Sequence, residues 1–458
     1  MKILILKFYH FPKSKVLVPF LFLFLNYSLI AQGGFRLPHG VKKEKIKFEL
    51  ANNLIIIPVV LNGVELSFIL DTGVSATIIF SLEDRNTLEL KNASKIYIRG
   101  LGDEAPVEAV KSINNELKIG KSISSDHTVF LIFDESIDFS SRMGFPVHGI
   151  IGYDFFKKFI LDINYSREVL TVNDPKFYNY KKCKKCYRPN LRLIDGKRPF
   201  MDVKHKTEKG MMNLNLLIDT GSGSALWLFE NEELGIKAPQ NSFEDFLGKG
   251  FSGDIYGRRS KISSFSIGDF VMKDVTTSFP DSIYIKGISV DNRQGSIGGS
   301  VLRKFNLIVD YPNQKISFKK NNSFYKRFYY NMSGLSIQHS GQHLVKKYSK
   351  TTPKKSTFKI EKESNGNIKS VVGQREYSLL YSLKPKYEIA DVRPDSPADI
   401  AGLKKGDVVL AINGKNAYRY KLSDLNDLFY SNEGKRIKIK IERLGVEIEY
   451  VFYLKKVI

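Results

Sequence analysis

Cysteine, tryptophan and histidine are scarce in this 458-residue chain, and each shortage removes a class of chemistry. Cys183 and Cys186 are the only two cysteines, so they cannot close a structural zinc site. No βαβ pattern surrounds their Cys-x-x-Cys spacing, which argues against a thioredoxin-type redox centre. In an exported chain the pair reads as a small local disulfide. The seven histidines are scattered. His339 and His343 stand four apart, but Gly334 and Gly341 argue against a helix presenting both to a metal. Gly-x-Ser-x-Gly and His-Glu-x-x-His are both missing. Neither a metal nor an organic cofactor is expected.

Acidic residues are also in deficit: 48 Asp and Glu against 71 Lys and Arg leave a net charge of +23. That charge suits peripheral contact with anionic surfaces such as lipid headgroups or acidic glycans, and it equally suits a lysine-rich, solvated surface. No arginine–aromatic module accompanies it, so no nucleic-acid partner is expected. Long apolar runs are absent after residue 32. Before it, Lys2, Lys7, Lys13 and Lys15 open the chain, 16–30 is an apolar run with Asn26 and Tyr27 inside it, and Ala31-Gln32 forms a cleavage zone. Residues 1–32 read as an export signal, with no cysteine nearby to carry a lipid. The run is short for a membrane span, and its retention as an anchor stays open. The expected location is the periplasm or cell envelope, or the medium.

What the chain does have is one stretch, twice. Leu70-Asp71-Thr72-Gly73-Val74 recurs as Ile218-Asp219-Thr220-Gly221-Ser222, offset by 148 residues. Gly100-Leu101-Gly102 recurs as Gly248-Lys249-Gly250 at the same offset of 148. Gly149-Ile150-Ile151-Gly152 and Asn164-Tyr165 recur as Gly295-Ser296-Ile297-Gly298 and Asp310-Tyr311, offset by 146. Landmarks repeated in order at one spacing mean a tandem duplication. An Asp at the end of an apolar strand is costly to bury as an anion unless it is paired or hydrogen-bonded. Two of them brought together cannot both ionise easily and share a proton. The pair then offers a carboxylate to activate water and a carboxylic acid to protonate a carbonyl. Gly73 and Gly221 let the backbone turn beside the acids, and Thr72 and Thr220 supply hydroxyls that can interlock.

These residues resemble the retropepsin-like aspartic proteases, here as two copies in one chain over roughly 45–320. The resemblance implies that Asp71 and Asp219 are the catalytic dyad, supported by Thr72, Gly73, Thr220, Gly221 and Ser222. It also implies flaps around Gly100 and Gly102 and around Gly248 and Gly250, with Tyr256 leaning over the substrate or packing. Val74 departs from the family's small or hydroxylated residue and places the first carboxyl in a drier site with a raised pKa. The glycines Gly248, Gly250 and Gly253 match a dinucleotide fingerprint in isolation, but a strand rather than a helix follows them.

Beyond residue 320, Ser396-Pro397-Ala398, Gly402-Leu403, Gly406-Asp407 and Asn413-Gly414 resemble the PDZ signature. This implies capture of an extended peptide strand, with a helix at 422–429 and a closing hairpin. The carboxylate-cradling loop of such domains is not evident, Tyr381–Pro385 occupying its region, and Gly334–Ile337 reads as an outlying strand of the same domain.

The expected architecture is mainly β: a signal at 1–32, β-barrels at 45–172 and 191–320 forming an internal pseudo-dimer, a Lys-rich linker at 173–190, and an α+β PDZ domain at 327–458 with a flexible insertion at about 345–370. The expected function is exported aspartic endopeptidase acting on polypeptides. Two alternatives stand beside it, an inactive protease-fold scaffold whose PDZ domain binds peptides and a dyad assembled between two chains.

Overall fold

Asn62 and Gly63 both hold positive φ, 48° and 88°, the geometry of the tight turn that joins Leu54–Leu61 to Val64–Leu70. The computed structural model describes residues 33–80, 88–98, 107–132, 139–250, 253–285, 292–349, 358–373 and 378–458. Residues 1–32, expected to be an export signal, lie outside them. From that first hairpin an eight-stranded sheet is laid down in the order Glu49–Ala51, Leu54–Leu61, Val64–Leu70, Gly149–Ile151, Thr77–Ile79, Ser122–Ile132, Val107–Ile119 and Ser94–Ile98. A further pairing of Leu54–Leu61 with Val107–Ile119 curls it into a barrel.

The second copy repeats that order strand for strand: Arg192–Ile194, Arg198–Thr207, Gly210–Ile218, Gly295–Ile297, Leu226–Leu228, Phe270–Pro280, Gly253–Ile267 and Ser242–Gly250. Arg198–Thr207 closes it against Gly253–Ile267. The sequence repeat is therefore a structural duplication.

A shared six-stranded sheet locks the copies together, and at its centre Ile160–Asn164 of the first runs antiparallel to Phe305–Asp310 of the second. Lys43–Lys47 extends one end of this sheet. At the other end the lysine-dense join adds Cys186–Tyr187 beside Lys315–Lys320. Phe155, Phe156, Leu161, Ile163, Phe305, Leu307 and Phe318 are wholly buried in one apolar core common to both barrels. That continuity holds the pseudo-two-fold axis rigid inside one chain. Cys183 and Cys186 are bonded to each other.

The C-terminal unit has its own core around Leu335, Ile389, Ile412, Leu425, Phe429 and Ile439. Its main path runs Leu335–Ser349, Ser378–Val392, Val408–Ile412, Arg436–Arg443 and Val446–Tyr453. Pro397–Ile400 begins at Ser396, whose hydroxyl accepts from the Asp399 N–H at 3.3 Å. Asp407, 2% exposed, is gripped by Arg443 through Nε (2.6 Å) and Nη2 (2.7 Å) and accepts from the Lys404 N–H at 2.9 Å. Removing the acid strands that guanidinium, so Asp407→Ala is expected to cost about 3 kcal/mol, read as a lowered unfolding midpoint of this unit.

Two expectations need correcting here. The stretch 345–370 was expected as a flexible insertion, yet much of it is strand. Leu335–Ser349 and Ser378–Val392 pair out to Ser349 and Ser378, and Phe358–Lys362 pairs with Ile368–Gly373. The ribbon is solvated: Leu344, Leu380 and Leu383 are all exposed, and a ladder with no buried face leaves no apolar period in its sequence. Tyr381–Pro385 lies within one of these strands, opposite Gln342–Lys346, and is not a loop. The outlying strand at Gly334–Ile337 begins the first of them, entered through Met332, Ser333 and Gly334.

Candidate active site

Each Asp-Thr-Gly sits where an apolar strand leaves its barrel. Asp71 follows Val64–Leu70 and donates its N–H to Ile151 O at 2.8 Å; Asp219 follows Gly210–Ile218 and donates to Ile297 O at 2.9 Å. Behind them, Gly152 and Gly298 pack so closely that a Cβ would stand 2.3 Å from Val74 O and 2.4 Å from Ser224 O. Only glycine fits at those two positions.

The threonines cross the axis. The Thr72 N–H donates to Thr220 Oγ1 at 3.0 Å and the Thr220 N–H to Thr72 Oγ1 at 3.1 Å. Each hydroxyl donates onward into the opposite copy, Thr72 to Ile218 O (2.6 Å) and Thr220 to Leu70 O (2.8 Å). Both side chains are buried, so every one of these bonds is shielded from water. The brace brings the carboxyls to one point. A Cβ on Gly73 would lie 3.1 Å from Asp71 Oδ1 and 3.2 Å from Asp219 Oδ1, and one on Gly221 would lie 2.1 Å from Asp71 Oδ2.

Local amides hold the acids in place: Gly73 N–H to Asp71 Oδ1 (2.6 Å) and Gly221 N–H to Asp219 Oδ1 (3.0 Å). Burial, reinforced by the charge of Asp219, raises Asp71 far above the ordinary carboxylate range. Burial also raises Asp219, but the Arg293 guanidinium and the amides of Gly221 and Ser222 pull it back. Both carboxyls are thus raised, and the pair holds its shared proton to higher pH than a lone carboxylate would, with the Arg293 charge on the Asp219 side favouring the anion there. Val74 lines the cleft beside Asp71, in keeping with a drier first carboxyl.

Three residues here were given no role at the site by the sequence. Tyr311, buried, donates from its hydroxyl to Thr72 O at 3.3 Å. Trp227 and Arg293 line the wall beside Asp219. Arg293 could have been found from the repeat, because the offset of 146 sets it opposite Val147.

Of the flap residues, Gly100 and Gly102 lie outside the described residues. Gly248 and Gly250 line the cleft at the end of a hairpin whose last described pair is Gly250 and Gly253. Tyr256 does not line the cleft. A bulge between Phe246 and Gly248 shifts the register, so Leu247 and Ile255 are buried facing the cleft, and Tyr256 stands edge-on to Phe246 with 42% of its surface exposed.

The cleft of about 1810 Å³ is lined by both barrels and by the C-terminal unit, including Ser336, Ile337, Asp391, Asn426 and Tyr430. That unit clasps the second hairpin: Arg393 stacks on Phe243 at 4.2 Å and approaches Asp245 at 3.8 Å, while Arg259 donates to the same carboxylate at 2.6 Å. The short helix Phe139–Met143 of the first barrel packs against Leu335–Ser349 and Leu422–Phe429.

Residues 57–155 match the family model described as aspartyl protease, and residues 388–443 match that described as PDZ domain. The chain thus joins an aspartyl protease domain to a PDZ domain, and the second barrel repeats the sheet order of the first. No curated protein matches the chain.

Proposed function

We propose that the protein is an exported aspartic endopeptidase whose PDZ domain receives the polypeptide to be cut. The observation that carries this reading is the crossed threonine brace, which aims two half-buried carboxyls at one point of an open cleft. In this reading a water lies between the acids. Asp219 takes its proton as the oxygen attacks the peptide carbon, and Asp71 gives its own proton to the carbonyl oxygen. Asp219 then returns its proton to the leaving nitrogen while Asp71 takes one back from a hydroxyl of the gem-diol; the C–N bond breaks, and the acid, the amine and the singly protonated dyad are left. No covalent intermediate forms, and the threonine brace keeps the geometry fixed between steps.

The PDZ side of the cleft favours an internal strand over a chain terminus. The amides leading into Leu335–Ser349 are already satisfied: Asn331 Oδ1 accepts from the N–H groups of Ser333 (3.0 Å) and Gly334 (3.1 Å), and Ser333 Oγ accepts from that of Leu335 (3.0 Å). A terminal carboxylate would have to displace these bonds. Among the described residues, Leu335–Ser349 pairs in the sheet with Ser378–Val392 alone, so strand addition beside it would supply a polypeptide directly to the cleft. The basic, apolar start at 1–32 supports export, and the charge of +23 supports peripheral contact with anionic envelope surfaces.

The test is peptide cleavage followed across pH. Both carboxyls are raised, so the productive singly protonated pair persists towards neutrality. Below its range both acids are protonated and no base remains; above it both are charged and no acid remains. A bell with its alkaline limb near or above neutrality is expected, inhibited by pepstatin. A rate still climbing well into the alkaline range would rule the dyad out.

A further inference from the structure

The duplication supplies its own control for the wall beside the dyad. In the first barrel Ile78 lies opposite Ile150 and beside Phe130. In the second, Trp227 lies opposite Ser296 and beside Ser278. His148 Nδ1 accepts from the Ser67 N–H at 3.0 Å, and Gln294 Oε1 accepts from the Asn215 N–H at 2.7 Å, which fixes the next register. Val147 of the first copy therefore corresponds to Arg293 of the second. An all-apolar wall of Ile78, Phe130, Val147 and Ile150 faces one built from Trp227, Ser278, Arg293 and Ser296.

The polar wall has donors with nothing to donate to. Arg293 is 8% exposed, lies over Phe229 at 5.2 Å, and gives only its Nε–H, to Gly295 O at 3.1 Å. Among the described residues its two Nη groups have no hydrogen-bond partner, and Asp219 is beyond ion-pair distance. Trp227 Nε1 and Ser278 Oγ are buried and unpartnered as well. Guanidinium and indole N–H can only donate, so the group that completes them must be an acceptor. The Trp227 indole N–H is dry and unpaired, which is costly, and the Arg293 Nη groups open onto the cleft with no partner among the described residues, which marks the place as suited to an acceptor from outside the chain.

Building on the peptidase reading, we propose that Arg293, with Trp227, forms a specificity pocket for an acidic side chain of the substrate, while the matching pocket of the first barrel takes an apolar one. The preferred cleavage site is then asymmetric, an acid on the Asp219 side of the dyad and an aliphatic or aromatic residue on the Asp71 side. A guanidinium held over an aromatic ring is suited to clamp a carboxylate in a fixed orientation.

End-blocked peptides carrying a single Glu moved stepwise through one sequence, each paired with its Gln counterpart, test this. At one position next to the cut, kcat/KM is expected to favour Glu by about 10- to 100-fold. Arg293→Val, which installs the residue of the first barrel, should bring kcat/KM for the Glu peptide down to that for the Gln peptide; because Arg293 also lowers the Asp219 carboxyl, the two peptides are compared with each other at each variant's own pH optimum, and an unchanged unfolding midpoint certifies the fold. Arg293→Gln should do the same. No Glu preference at any position, or one that survives both variants, overturns the pocket. So does a preference confined to free chain ends in peptides with an unblocked C-terminus.

Trp227 is the only tryptophan, so its fluorescence reports this pocket without catalysis. In the Asp219→Asn protein the Glu peptide should shift the emission at lower concentration than the Gln peptide. Selective binding without cleavage by the wild type would keep the pocket and reject the peptidase reading. Cleavage without selectivity would do the reverse.

Discussion

Under the proposed mechanism, Asp71→Asn and Asp219→Asn are each expected to lower peptide hydrolysis by about a thousandfold or more, because either change removes the acid or the base of a pair that acts as one unit. At neutral pH Asp71→Asn moves stability the other way. The Asp71 carboxyl titrates higher in the folded chain than in the unfolded one, so the folded state binds more protons between the two values. Stability from this group is whole below the ordinary carboxylate range and drains away as pH rises towards the raised value. Each pKa unit is worth about 1.4 kcal/mol, so Asp71→Asn should raise the melting temperature by several degrees at about pH 7 and leave it nearly unchanged at about pH 4. Scanning calorimetry at the two pH values, set beside the activity loss, checks both halves. Equal melting temperatures at both would mean that Asp71 is not held protonated.

Gly221→Ala separates placement from chemistry. The new methyl would lie 2.1 Å from Asp71 Oδ2 and 2.2 Å from its Cγ, so the carboxyl must move. It is the end of a side chain, and the fold survives; the reacting atom is what shifts. Displacement on the order of an ångström costs about 100-fold in rate, so activity should fall at least that far with little change in stability. Gly73→Ala meets its nearest carboxyl oxygens at 3.1 and 3.2 Å and should be several times milder. Equal losses from the two would contradict the asymmetric geometry.

The parts of this site legible in the sequence are those whose chemistry demands a residue type in both copies. The acids, the bracing threonines and the turn glycines repeat because the two-fold axis requires them twice. Arg293 does not repeat. Its only trace is a mismatch with Val147 in the register, visible once the strands are aligned through His148 and Gln294. Tyr311 does repeat, as the counterpart of Tyr165, but its contact was unreadable because its partner carbonyl, Thr72, is 239 residues away. For Tyr256 the sequence left two places open, over the substrate or packed, and its strand's alternation sets Ile255 inward and Tyr256 outward against Phe246. The PDZ core was plain from Gly402, Gly406, Asp407 and Asn413, all at turns or in the buried ion pair. The long ribbon was not, since a solvated ladder is held by backbone bonds that any polar sequence can make.

Cleavage of a diverse peptide library by the chain lacking residues 1–32, at concentrations where it sediments as a monomer, tests the central claim most directly. Two barrels paired through one central sheet predict turnover strictly proportional to protein concentration, with products read by mass spectrometry and none from Asp219→Asn. A folded monomer that cuts nothing across the pH range while its PDZ domain still binds peptides would contradict it.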